Sequence, residues 1–178
     1  REQYNWAVVA TGPGHGIQLR NGRFVVPVWM SDGSGGEFGP KHRGHRPSVV
    51  TSLVSDDRGE TWQADEFVVK HGDVCDGTEV VNPSETVPVE LADGRVLFNI
   101  RSESMRNRRL VSISPDGATD WSAPKFDDAL LEPVCMGSIL KLGRHEINGM
   151  HPILFANPDN LDNDLIPPGR NLAHDRKQ

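Results

Sequence analysis

Ser55-Asp56-Asp57-Arg58-Gly59-Glu60-Thr61-Trp62 follows a strand-like run from Pro47 to Val54 and fits the pattern S-x-D-x-G-x-T-W without a mismatch. The residue types describe a folded β-turn. Asp57 is placed to accept backbone N–H bonds within the turn, Gly59 supplies a position with φ > 0, and Trp62 is expected to pack back onto the sheet. The octet therefore reads as a structural staple, with no catalytic role for Ser55, Asp57, Gly59, Thr61 or Trp62.

A weaker copy stands 59 residues later at Ser114-Pro115-Asp116-Gly117-Ala118-Thr119-Asp120-Trp121. Ser114, Asp116 and Trp121 keep their places, while Ala118 and Asp120 replace the Gly and Thr. That spacing suits a four-stranded sheet with generous loops, repeated along the chain. Around each copy the order recurs: inner strand, Asn/Asp-Gly turn, second strand, loop, third strand, staple, fourth strand. The first unit spans about 14–70, the second about 84–128, and a partial third about 137–178. Residues 1–11 read as an approach strand or linker. The expected class is all-β, built as radial blades.

Composition agrees. Hydrophobic residues make up 36% of the 178, with 18 Gly and 13 Pro, a mixture that favours short strands joined by turns. No sustained helical period appears, and no apolar run approaches the roughly 20 residues of a membrane helix. A net charge of −6 without a basic block argues against nucleic acid as a partner. His42 and His45 lack a third ligand and read as solvated loop residues, so neither a metal nor a cofactor is expected. Cys75 and Cys135 belong to no ligand pattern; they are two buried thiols or a disulfide.

The candidate chemistry lies in Asn82–Arg101. Asp93-Gly94 is a turn signal between two strands. A tight two-residue hairpin there sets Ala92 opposite Arg95 and Thr86 opposite Arg101, bringing Glu85 and Arg101 to one end. The pair is either an ion pair or a site for an anion, with Glu85 as base and Arg101 as a two-point clamp. Antiparallel order puts Gly12–Gly16, Glu85, Arg101 and Arg170 on one rim and both staples on the other. Three blades then point Glu and Arg toward a common opening, which favours the anion site. Arg106, Arg108 and Arg109 read as solvated surface charge.

The S-x-D-x-G-x-T-W octet is the Asp-box, and with it the chain resembles the sialidase-type β-propellers. Thr11–Leu19, Asn21–Pro27, Asn82–Arg101, Glu132–Leu140, Leu154–Pro158 and Arg170–Leu172 fall in the order found in the exo-α-sialidase family. The resemblance implies two complete blades and part of a third of an expected six. It also implies a retaining glycosidase that releases terminal sialic acid from sialylated glycans. In that family three arginines hold the sugar carboxylate, a Tyr paired with a Glu is the nucleophile, and an Asp is the acid/base, outside the usual two-carboxylate scheme. By position Glu85 corresponds to the Glu that activates the Tyr, Arg101 to the second arginine and Arg170 to the third. An extracellular or periplasmic setting is implied as well.

The first arginine, the acid/base Asp and the nucleophilic Tyr have no counterpart here, since Tyr4 is the one Tyr and stands elsewhere in the order. The expectation is therefore an internal fragment, inactive by itself. A non-catalytic propeller that binds glycans or protein partners is the alternative, because fold alone does not give function.

Overall fold

The computed structural model describes residues 5–37, 39, 44–143 and 147–161. Thirteen strands among them form antiparallel sheets. The first sheet holds β1 (Val8–Thr11), β2 (Ile17–Gln18), β3 (Phe24–Ser31), β4 (Ser48–Ser55) and β5 (Gln63–Lys70). Its spine is the β3–β4 pair, in register over eight residues from Phe24↔Ser55 to Ser31↔Ser48. These strands are rich in Val, whose branched side chain suits a pleated, covered surface. Val25, Val28, Val50 and Val54 are buried there.

Both β1 and β2 lie along β3, against Val28–Ser31 and Phe24–Val25 respectively. Val8–Thr11, within the stretch read as an approach strand or linker, thus form part of the sheet. Gly12–Gly16 interrupts this inner edge, and the interruption has a packing reason. A Cβ on Gly14 would come within 2.7 Å of Val87 Cγ1 in the next sheet.

After β5, a short hairpin joins β6 (Val74–Cys75) to β7 (Thr78–Glu79) through Asp76-Gly77. Both turn residues have positive φ, 48° and 73°, as a type I′ turn requires. The second sheet is a meander of β8 (Thr86–Glu90), β9 (Val96–Ile100), β10 (Arg108–Ser114) and β11 (Lys125–Leu131). Strands β12 (Ser138–Lys141) and β13 (Ile153–Ala156) pair as a third sheet. Strand β8 touches β2 and β3 on one side and β12 on the other, so the sheets pack radially by their inner strands. One apolar cluster joins the first two sheets through Val25, Val50, Val96, Phe98 and Ile100. A smaller one joins the second and third through Val87, Val89 and Ile139.

The β8–β9 register differs by one from the two-residue hairpin expected. Leu91, not Ala92, faces Arg95, and Thr86 pairs with Ile100. The turn uses three residues, Ala92-Asp93-Gly94, and Gly94 carries the left-handed φ of 95° that closes it.

Both Asp-boxes are formed. In the first, Asp57 accepts the N–H and hydroxyl of Thr61 at 2.9 and 2.6 Å, while Ser55 Oγ accepts the N–H of Gly59. Gly59 has φ 92°, as its place in the motif requires. In the second, Asp116 accepts the N–H groups of Ala118 and Thr119, both at 2.9 Å. Thr119 and Gly117 take over there, one position earlier, what Thr61 and a glycine provide in the consensus; Gly117 has φ 78°. Each tryptophan indole donates to the carbonyl three residues before it, Gly59 or Ala118. Trp121 lies 4.4 Å from Phe98, half-buried. Trp62 departs from the expected packing: it is 44% exposed and stacks on Phe24. Both tryptophans precede the outermost strand of their sheet; what separates them is that Trp121 packs against the main apolar cluster through Phe98, whereas Phe24, the partner of Trp62, lies outside that cluster.

Arg23 fixes the two boxes to one rim. Its guanidinium donates to Asp56 at 2.7 and 2.9 Å and to Asp116 at 2.8 Å. Arg20 adds a second link across the sheets, to Glu90 at 2.9 Å and to the Leu91 and Ala92 carbonyls.

The boxes hold their carboxylates anionic. The Thr61 hydroxyl, its N–H and the Ser55 hydroxyl bring Asp57 to about 2. Against the upward push of burial, the Thr119 and Ala118 N–H groups and Arg23 bring Asp116 to about 2 as well. Both lie below the unfolded Asp value of about 3.9, so their stabilisation is present above about pH 4 and lost as pH falls toward 2. Replacing Asp116 with Ala strands donors at a partly solvated site. The expected cost at pH 7 is about 1–2 kcal/mol in urea unfolding, with a shallower acid decline than the parent chain. An unchanged midpoint at pH 7 rules out the stapling role.

Candidate functional site

At the rim opposite the Asp-boxes, Arg101 exchanges backbone hydrogen bonds with two residues of the neighbouring strand. Ser84 N donates to its carbonyl and its own N–H donates to Glu85 O, both at 2.9 Å. Two residues opposing one is the arrangement of a β-bulge, a device that re-aims side chains at strand ends. Its effect is to bring Ser84 and Glu85 to the same guanidinium. Arg101 Nη1 donates to Ser84 Oγ, Nε lies 3.5 Å from Glu85 Oε2, and Nη2 lies 3.9 Å from Glu103 Oε1. The one-residue difference in register thus makes Glu85 and Arg101 direct cross-strand neighbours. Arg170 lies outside the described residues.

Arg101 and Glu85 keep 15% and 29% of their side-chain surface open, and both border two cavities. The first, about 350 Å³, runs toward the first sheet and is polar: Glu37, Arg46, Asn82 and Glu103 line it beside Trp29. Arg46 and Asn82 both donate to Glu103 at 2.9 Å, and Glu37 accepts the N–H of His45. The second, about 810 Å³, runs toward the third sheet past Val134, Met136, Ala156 and Pro158. Arg101 Nε is buried and makes no hydrogen bond among the described residues. A planar guanidinium with donors to spare, at the junction of two openings, is suited to a carboxylate ligand.

Beside Arg101 stands a feature that corrects the sequence reading. Arg109 is not solvated surface charge; it is fully buried, and so is Glu132. Its Nη1 donates to Glu132 Oε2 and to Cys135 O, and its Nε donates to Asn99 Oδ1 at 2.6 Å. Glu132 also accepts the Cys135 N–H at 3.0 Å. Burial pushes Arg109 down and Glu132 up, and the charge of each partner opposes that push. The pair joins β9, β10 and the segment entering β12, where Val134 takes a left-handed φ of 59°. Arg106 and Arg108, by contrast, bond near the surface, Arg106 to the Asp128 carboxylate and Arg108 to backbone carbonyls. The usable signal for Arg109 was its place inside a strand, with an acidic residue at Glu132 where the next blade begins.

Cys75 and Cys135 are both buried and form no disulfide with each other. Among the described residues no group of three or more His, Cys, Asp or Glu side chains is arranged to hold a metal ion.

The BNR repeat-like domain family matches residues 1–133. Sialidase-3 of Bos taurus is 28% identical over 162 residues, covering 83% of this chain and 33% of that protein. The sialidase of Micromonospora viridifaciens is 30% identical over 139 residues, covering 76% of this chain and 18% of that protein. The solved Hadza microbial sialidase Hz136 matches with a TM-score of 0.63 at 24% identity, over 89% of this chain and 27% of that one. The chain thus spans a third or less of the length of each of these proteins. The fold is all-β and forms part of a sialidase-type β-propeller.

Removing one member of a buried ion pair leaves the other charge uncompensated, whereas replacing both with apolar groups is often near neutral. Arg109→Met alone should therefore cost about 3–5 kcal/mol in urea unfolding, and Arg109→Met/Glu132→Leu should recover most of it. A double variant as unstable as the single one would mean that the shape of the pair, and not its charge balance, supports the segment.

Proposed function

The chain belongs to the BNR repeat-like domain family, and from that membership we propose that it carries part of the active site of a sialidase-type glycoside hydrolase acting on sialylated glycans. One observation carries the reading. The partly open guanidinium of Arg101 borders both cavities, with Glu85 3.5 Å from its Nε. A structural ion pair needs no such opening. A sugar acid needs a planar two-point partner for its carboxylate, and a guanidinium provides it where an ammonium does not.

On this reading Arg101 is the second of the three arginines that bind the sialic acid carboxylate, and Arg170 is the third. Glu85 is the base that withdraws the proton of a tyrosine nucleophile. A neutral phenol approaches an anionic sugar without the repulsion a carboxylate nucleophile would meet, which is the sense of the Tyr/Glu pairing and of a retaining mechanism. The polar cavity beside Arg46, Asn82 and Glu103 offers partners for sugar hydroxyls. The two Asp-boxes stand on the other rim and take no part in the chemistry.

Residues 1–178 contain no assigned counterpart of the first clamp arginine, the acid/base Asp or the nucleophilic Tyr. Groups that act as a unit lose most of their effect when one is missing, so these residues alone should not hydrolyse a fluorogenic sialoside above a buffer blank. The decisive comparison uses the longest form of the protein that its coding sequence provides. There Arg101→Lys keeps the charge but loses the two-point grip, and kcat/KM on the same sialoside should fall about ten- to a hundredfold. An unchanged kcat/KM removes Arg101 from the clamp. Absence of hydrolysis in every form, with sialoside binding retained, would favour a glycan-binding module instead.

A further inference from the structure

Four charges lie in a row across the second sheet. Glu85 precedes β8, and Arg101 follows β9 directly opposite it. One step beyond the Leu110↔Ile100 pair, the β9–β10 register sets Arg109 next to Arg101. Glu132 then closes the row from the end of β11. The order is carboxylate, guanidinium, guanidinium, carboxylate. Two cations side by side repel, and here each has its own anion at the outer end of the row. The inner pair members differ sharply in access: Arg101 borders both cavities, while Arg109 is closed off completely.

We propose that Glu132 is a positioning residue for the site, cancelling the charge of Arg109 beside Arg101 so that one net guanidinium, with Glu85 next to it, meets an anionic ligand. Glu132 and Arg109 line neither of the two cavities and so act on the site through their neighbours. The mechanical part of the role runs through Asn99, two residues before Arg101 on the same face of β9, and through Cys135 in the wall of the larger cavity. The electrostatic part runs through space: Arg109 senses the charges of both Arg101 and Glu85, and Glu132 senses Arg101. Without Glu132, a second cation would act on Glu85 from inside the sheet, where solvent screens little.

The proposal rests on reading Glu85 and Arg101 as an anion site, but its test does not require hydrolysis. The carboxyl carbon of Glu85 is followed by NMR through a pH titration of the full chain with 13C-labelled glutamate, its resonance assigned by its loss in Glu85→Gln. The other charged or titratable groups around the two cavities, Glu37, His45, Arg46, Arg101, Glu103, Cys135 and Asp159, are common to every variant compared. Glu132→Gln keeps the shape and still accepts hydrogen bonds, yet leaves Arg109 uncompensated. The Glu85 midpoint should then fall by about one pH unit, a tenfold loss of proton affinity. Glu132→Asp, which keeps the charge, should leave it within a few tenths of a unit. Arg109→Met/Glu132→Leu removes both charges and should do the same, which supplies a readout if the single variant does not fold. A midpoint unmoved in Glu132→Gln overturns the proposal. So does a double variant that shifts it fully, because lost structure would then account for the effect. A shifted midpoint in a protein without sialidase activity would uphold the charge row and overturn the enzymatic reading.

Discussion

Strand β8 has no solvent face. It is covered by β2 and β3 on one side and by β12 on the other, and Thr86 through Val89 are all buried. A strand in that position must be apolar on both sides, and the approaching backbone must be thin where it meets Val87, hence Gly14. Because a slip of one residue would exchange every side chain between two filled spaces, the register is held firmly. Glu85, the residue just before β8, inherits that fixed position. The inner strand therefore determines where the chemistry can stand.

The two rims divide the work. On one, Asp57 and Asp116 saturate turn N–H groups, and Arg23 spans two carboxylates from different sheets. On the other, donors remain unspent and a backbone bulge gathers Ser84, Glu85 and Arg101. Hydrogen bonds that are fully made give stability, and those left open give an affinity for something else. The separation lets strand ends on the site rim depart from ideal pairing while the opposite rim keeps the sheets together.

The first Asp-box was legible because nearly every position of it is dictated by local hydrogen bonding, which needs no knowledge of the rest of the chain. The second was legible only in part: Thr119 and Gly117 perform their tasks one place early, a compensation that a fixed pattern does not register. The hairpin register was misplaced by one because Asp93-Gly94 serves both two- and three-residue turns, and the choice is made by packing around Leu91 and Val96. Glu85 and Arg101 were found because both readings bring them to the same strand end. Arg109 was missed since it follows Arg106 and Arg108 in a run of apparent surface charge, and the partner that makes its burial tolerable arrives 23 residues later. Trp62 was expected to be covered, but coverage depends on whether the ring meets the main apolar cluster, as Trp121 does through Phe98, and the motif does not encode that.

The fork of Arg23 has a consequence for how the molecule comes apart. Radially stacked sheets behave approximately as a one-dimensional array, in which each unit has its own stability and each contact between neighbours adds a coupling. Arg23 holds Asp56 within its own sheet, whereas its bond to Asp116 crosses to the second and is a property of their boundary. Opening of the first sheet alone would carry Arg23 and Asp56 away together and leave Asp116 without its guanidinium, so the boundary favours states in which both sheets are present or both are lost. Among the described residues, the join between the second and third sheets is made by a smaller apolar cluster around Val87, Val89 and Ile139 together with the buried Arg109–Glu132 pair. Beside the larger cavity the same two neighbours are tied by Arg109, which reaches from β10 to the Cys135 carbonyl in the cavity wall.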